Sequence, residues 1–296
     1  MKIEKRDQDY YFNNKIISSY WNINKNLINI YNKLLKILYK NQINLSEEIL
    51  INFLKSIDIF ENTKYHRCWA AEYFPYWFII LKPIIEKLYA DKKTLNILQI
   101  GVFEGMSLLY LIKIILSNFN VNITVIDNFS TEPYFNTKIN FNENTKDFKY
   151  NLITDDSHTA LLNLISNKQT FDYVYYSGSR KPYVIFTDLA LLTKIATTNT
   201  SILIDEYGKY SSYENDLPPN IVRNTFLDSF KRLIDVENIG KQKLIIFKQI
   251  EIDKYPITEK NPDCVNYKYE YEKYKNEYNR NKNQNLNQNM PFKINN

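Results

Sequence analysis

The run Leu95-Asn96-Ile97-Leu98-Gln99-Ile100-Gly101-Val102-Phe103-Glu104-Gly105-Met106-Ser107 reads as a strand, a glycine-bearing turn and the start of a helix. Apolar residues crowd Leu95–Ile100 as in a strand covered on both faces, and from Ser107 to Leu116 they return at helical spacing. The same alternation repeats downstream. Further strands are expected at Ile123–Ile126, Tyr150–Ile153, Tyr173–Tyr176, Ser201–Ile204, Ile234–Ile239 and Leu244–Phe247, with helices at Thr159–Ile165, Pro182–Ile195 and Ile221–Leu233. Strands separated by helices pair in parallel through right-handed crossovers. The last two strands enclose only a short turn at Gly240, so they form a hairpin that reverses one strand. The expectation is an α/β fold: a doubly wound, mostly parallel sheet with one antiparallel strand.

Outward from this core the texture changes. Between Ile16 and about Tyr39 apolar residues recur at helical spacing, Ser46 precedes Glu47 and Glu48 as an N-cap would, and Glu72–Tyr89 reads as a further helix. Residues 1–68 are therefore taken as a helical N-terminal region and 69–248 as the α/β domain. Residues 249–296 form a polar tail, with a helical appendage at Tyr267–Tyr278 and a disordered end rich in Asn and Gln. The 296 residues carry 38 basic and 33 acidic side chains, a net charge of +5, and no basic stripe announces nucleic acid. With 44% apolar and 15% aromatic residues there is ample material for a core. No signal peptide or membrane span is visible, and the two cysteines, Cys68 and Cys264, make no zinc pattern, which points to a soluble protein in the reducing cytoplasm.

All five glycines, 101, 105, 178, 208 and 240, lie inside the α/β region, where the backbone must turn tightly or meet a ligand. The turn after the first strand is where a doubly wound sheet binds nucleotides. The dinucleotide pattern GxGxxG fails here, since Phe103 and Met106 replace its second and third glycines, and Glu104 opposes a pyrophosphate. A cationic ligand without phosphate fits better, such as S-adenosylmethionine with its sulfonium and ammonium. Asp127, closing the second strand, is placed to take the hydroxyls of an adenosine ribose.

These stretches, together with Phe171-Asp-Tyr-Val-Tyr-Tyr-Ser-Gly-Ser-Arg180, Ile202-Leu-Ile-Asp-Glu-Tyr207 and Asn224-Thr-Phe-Leu-Asp-Ser-Phe230, resemble class I S-adenosylmethionine-dependent methyltransferases. The similarity is to the branch with a LEIGxFEGxS loop, a YIDGSH fourth strand and a DDY fifth strand, over about residues 69–248. It implies a Rossmann-like sheet of methyltransferase type and S-adenosylmethionine as cofactor. It implies that Gly101, Phe103 and Glu104 line the methionine and ribose side, within a loop that also holds Gln99, Gly105 and Ser107. By the same resemblance Asp127 binds the ribose, Asn128 and Phe129 lie beside the adenine, Asp156 and Ser157 meet its edge, and Ser177 lies on the cofactor side. Asp205 and Glu206 match paired acids that hold a divalent ion in metal-dependent relatives.

The departures are chemical. Gln99 replaces an acid, weakening the hydrogen bonds of the loop. Ser177 replaces a carboxylate ligand, so no metal is expected, and Arg180 stands where a histidine could have been a base. Arg180 either clamps an anionic acceptor or neutralises Asp205 and Glu206. His158 is either a proton acceptor or a surface residue at a helix start. The implied activity is methylation of an oxygen on a small-molecule or saccharide acceptor, with Arg180, Asp205, Glu206 and His158 as the catalytic candidates. The other reading is a catalytically inactive protein of this fold serving as a binding or structural module.

Overall fold

The computed structural model describes residues 3–6, 9–12, 15–16, 34, 36, 38–40, 46–66, 70–130, 136–205 and 219–248. The expectations for the C-terminal tail, for most of the first N-terminal helix, for Cys68 and for Glu206 lie outside these residues.

At the N-terminus, where only helix was expected, β1 (Ile3–Arg6), β2 (Asp9–Phe12) and β3 (Lys15–Ile16) form a small antiparallel sheet. Helix α1 (Glu47–Lys55) starts as the sequence suggests, with Ser46 Oγ accepting the Ile49 N–H at 3.3 Å. The next helix, α2, runs through Phe74–Tyr76, Trp77–Leu81 and Lys82–Leu88, and its middle segment is a π-turn in which the Lys82 N–H donates to the Trp77 carbonyl. Pro83 follows directly; it has no N–H to give, and the widened turn falls where the regular ladder would be broken.

The principal sheet contains β4 (Thr94–Ile100), β5 (Asn120–Ile126), β6 (Asn151–Ile153), β7 (Phe171–Tyr176), β8 (Ala196–Ile204), β9 (Ile234–Ile239) and β10 (Gln242–Phe247). Their order is β6-β5-β4-β7-β8-β10-β9. Neighbours from β6 to β8 are parallel, whereas β10 runs antiparallel to both β8 and β9. This is the doubly wound, Rossmann-like sheet expected above, with β10 as its reversed strand. Gly240 makes the hairpin turn at φ +63°, and a Cβ there would stand 2.7 Å from the Tyr76 ring.

Helices α3 (Met106–Tyr110, continuing as a π-turn over Leu111–Ile115), α4 (Thr137–Thr145), α5 (Ser157–Ser166), α6 (Pro182–Ile195) and α7 (Pro219–Phe230) connect the strands. Alternation along each strand divides the core in two. Ile97, Val125, Tyr173, Tyr175 and Leu203 face the layer of α1, α2 and α3, while Leu98, Ile100, Val174, Tyr176 and Ile202 face α5, α6 and α7. Tyr175 and Tyr176 thus pack on opposite faces of the strand. Helix α4 went unpredicted because its sequence, Thr-Lys-Ile-Asn-Phe-Asn-Glu-Asn-Thr, has almost no apolar stripe. Among the described residues no helix is long and apolar enough to cross a membrane.

Candidate functional site

The chain builds β4, β5 and β6 outward in one direction, then returns to lay β7 and β8 on the other side of β4. A crevice opens at such a reversal, beyond the C-terminal ends of the strands. Backbone bonds run to the strand ends: Gly101 N–H to Ile126 O (2.9 Å), Asp127 N–H to Ile153 O (3.2 Å), Ser177 N–H to Ile100 O (2.8 Å) and Asp205 N–H to Tyr176 O (3.0 Å). They set Asp127, Gly101, Ser177 and Asp205 in a row across the sheet, each partly exposed. Gly101 (φ +79°) lies so close to the neighbouring turn that a Cβ would be 2.1 Å from the Ser177 carbonyl oxygen. A glycine is required there by strand approach, whatever binds above it.

The loop after β4 is held from below. Asp127 Oδ2 accepts the N–H groups of Val102 (2.8 Å) and Phe103 (3.0 Å), and Oδ1 accepts that of Phe129 (2.7 Å). Both Phe103 and Phe129 have φ near +50° (51° and 49°), a conformation this anchoring stabilises. The sequence reading gave Asp127 two ribose hydroxyls. Three of the about four lone-pair sites of a carboxylate are already engaged, leaving room for a single further donor on Oδ1.

Glu104 departs further from expectation. Its side chain has no exposure, and it accepts the backbone N–H of His66 on Oε2 (2.8 Å), with His66 Nδ1 and Asn140 Nδ2 on Oε1 (2.7 Å each). Asn144 donates to the Glu104 carbonyl and bridges Lys64 (2.9 Å for each contact). Glu104 therefore ties the loop to the segment before α2 and to α4, instead of lining the methionine side. Gln99, expected to weaken the loop, links it: fully buried, its Nε2 donates to Ser107 Oγ (2.8 Å) and Gly101 O (3.3 Å). Gly105 (φ +85°) and Ser107 are buried behind the loop with it.

On the β5 side Asn128 is exposed and accepts the Ser130 N–H at 3.0 Å, while Phe129 is buried against Phe141 with ring centroids 5.6 Å apart. Asp156 is the N-cap of α5, and the Thr159 N–H and hydroxyl hold its carboxyl below the usual range. Ser157 turns inward and donates to Asp188 Oδ2 at 2.5 Å. These roles are structural ones that a resemblance in sequence could not reveal. His158 is exposed in the first turn of α5, in the layer behind the sheet.

On the β8 side Asp205 is received by neutral donors: Gln242 Nε2 on Oδ1 (3.1 Å), Ser177 Oγ on Oδ2 (3.2 Å) and the Tyr73 side chain. Burial raises its pKa, and the charge of Glu72 adds to the rise. The place the sequence reading offered to Arg180 beside Asp205 is thus filled by amide and hydroxyl groups. Arg180 itself is exposed, just beyond Ser179, whose Oγ accepts the Lys181 N–H at 3.1 Å. Gln242 is fully buried, and its Oε1 accepts Trp77 Nε1–H at 2.5 Å. Sequence reasoning missed Gln242: it opens the last strand with no motif around it. Among the described residues no three His, Cys, Asp or Glu side chains gather as a metal ion would need.

No protein-family model matches the sequence, and no curated protein does. Solved structures do. An O-methyltransferase from Bacillus cereus in complex with SAH is 12% identical, over 74% of this chain and 100% of that one, with a TM-score of 0.47. The MycE methyltransferase of the mycinamycin biosynthetic pathway, in complex with Mg and SAH, is 14% identical over 65% of this chain and 56% of that one (TM-score 0.42). Aeropyrum pernix fibrillarin with natively bound S-adenosyl-L-methionine is 12% identical over 53% and 66% (TM-score 0.38). These likenesses are too distant to transfer the role of any residue.

Proposed function

We propose that the crevice binds S-adenosylmethionine and that the protein transfers its methyl group to a hydroxyl oxygen of a small-molecule or saccharide acceptor. The observation that carries this reading is the row Asp127, Gly101, Ser177, Asp205 at the reversal of strand order. The row fits the cofactor in charge: two carboxylates and one hydroxyl, with no glycine-rich phosphate cradle, suit a ligand of positive charge better than a phosphate. Asp127 would hold one ribose hydroxyl on its remaining Oδ1 site while shaping the loop. When bound, the cofactor supplies a methyl group already activated by the positive sulfur. The chain's own residues have then to exclude water, align the acceptor and take up its proton.

S-Adenosylhomocysteine should bind the folded state and raise its melting temperature, as any ligand selective for that state must. Asp127→Ala should remove this rise and, because three N–H groups lose their acceptor, should also lower the melting temperature without ligand. No rise at millimolar S-adenosylhomocysteine would favour the inactive binding module over the methyltransferase.

A further inference from the structure

Asp205 follows β8, at the opposite end of the row from Asp127, and the group that holds it comes from the reversed strand. Trp77 Nε1–H can only donate, so the oxygen of the Gln242 amide must face Trp77 and its NH2 must face Asp205. The orientation of Gln242 is therefore set by chemistry as well as by fit. Its Nε2 lies 3.4 Å from Tyr175 OH, and Trp77 stands edge-on to Tyr175 with centroids 5.1 Å apart, so the amide is enclosed on each side. The π-turn of α2 includes Trp77, and the pairing of β10 with β8 brings Gln242 alongside Asp205.

We propose that Gln242, locked by Trp77, is the positioning residue that holds the Asp205 carboxylate toward the crevice as a metal-independent proton acceptor. The proposal rests on the methyltransferase reading above and deepens it. Gln242, Ser177 and Tyr73 engage three of the carboxylate's about four lone-pair sites, leaving one for an acceptor hydroxyl and no set of open oxygens for a dication. In the transfer, the hydroxyl proton passes to Asp205 as the acceptor oxygen forms its bond to the methyl carbon. The electron pair of the broken S–CH3 bond stays on sulfur, and the proton leaves later to water. Among the described residues, Glu72 is the acid whose field acts on Asp205, and Tyr73 and Tyr175 are the titratable hydroxyls beside the Asp205–Gln242 pair.

The test uses the full chain. Its three tryptophans, Trp21, Trp69 and Trp77, have three indole N–H resonances, and Trp77→Phe identifies the one at the site. The Trp77 resonance should shift as Asp205 is protonated, because Gln242 links the two. It should lose that shift in Asp205→Asn and in Gln242→Leu, and millimolar Mn²⁺ should leave it sharp. A Trp77 resonance indifferent to pH in the wild type, or a response that persists in Asp205→Asn, overturns the proposal. So does selective broadening by Mn²⁺, which would place a metal at Asp205. Should Gln242→Leu not fold, the Asp205→Asn and Mn²⁺ measurements still decide. Calorimetry with S-adenosylhomocysteine is read separately: absence of binding would sink the methyltransferase reading, whereas an uncoupled Trp77 with binding intact would sink the role of Gln242 alone.

Discussion

Replacing Asp188 by Asn should leave stability almost unchanged in acid and raise it at neutral pH. Asp188 has no exposure; its Oδ2 accepts Ser157 Oγ (2.5 Å) and Tyr176 OH (3.0 Å), while Oδ1 has no hydrogen-bond partner. Burial pushes its carboxyl from the ordinary 3.8 up to about 6, against the lowering effect of its two hydroxyl donors and of His158. A displacement of about 2 in pKa, at ~1.4 kcal/mol for each, means that ionised Asp188 costs ~3 kcal/mol of folding stability. The sign follows from proton uptake: with the folded pKa above the unfolded one, the folded state holds more protons between them, so stability falls as pH rises through that window. An Asn side chain resembles the protonated acid, because its carbonyl can accept both hydroxyls and its NH2 occupies the position of Oδ1. Urea unfolding followed by far-ultraviolet circular dichroism at several pH values gives the difference between variant and wild type. That difference should be near zero at about pH 3 and grow to ~3 kcal/mol in favour of the variant by about pH 7. A difference that does not change with pH would refute the reasoning, since it would mean that Asp188 is not ionised at a cost.

Three further substitutions probe the crevice. Gly101→Ala drives a Cβ into the Ser177 carbonyl at φ +79°, so it should cost more than ~3 kcal/mol, whereas Gly105→Ala, whose nearest contact is the Thr145 methyl at 3.0 Å, should cost less; thermal melts of the two variants compare them. Glu104→Gln puts an NH2 against either the His66 N–H or the pair formed by His66 Nδ1 and Asn140 Nδ2, and should lower stability by ~2 kcal/mol in urea titrations. If Arg180 clamps an anionic acceptor, Arg180→Ala should weaken acceptor binding and leave the calorimetric affinity for S-adenosylhomocysteine at the wild-type level; a large loss of that affinity would instead place Arg180 on the cofactor.

The alternation of apolar runs was sufficient for the principal sheet and its helices other than α4, though not for the small sheet β1–β3. Periods of 2 and 3.6 record which residues are buried locally, and Pro182 at a helix start or Gly240 in a hairpin turn record what the backbone must do there. Asn199 takes the left-handed turn conformation that glycine usually provides, at φ +66°, although strand pairing extends β8 back to Ala196 around it. What the sequence could not express is which polar group meets which. Asp127 reads as a ligand-binding acid, and only the folded loop reveals that three backbone N–H groups reach it first. Glu104 reads as part of a cofactor loop, yet the approach of His66 and α4 buries it. Gln242 lies 165 residues from Trp77, and its contacts with Trp77 and Asp205 exist because β10 enters the sheet beside β8 and α2 packs across its face. Burial is a property of each residue and leaves a local periodic trace; a hydrogen-bond partner is a property of strand order and helix placement, and those are decided by the tertiary structure alone.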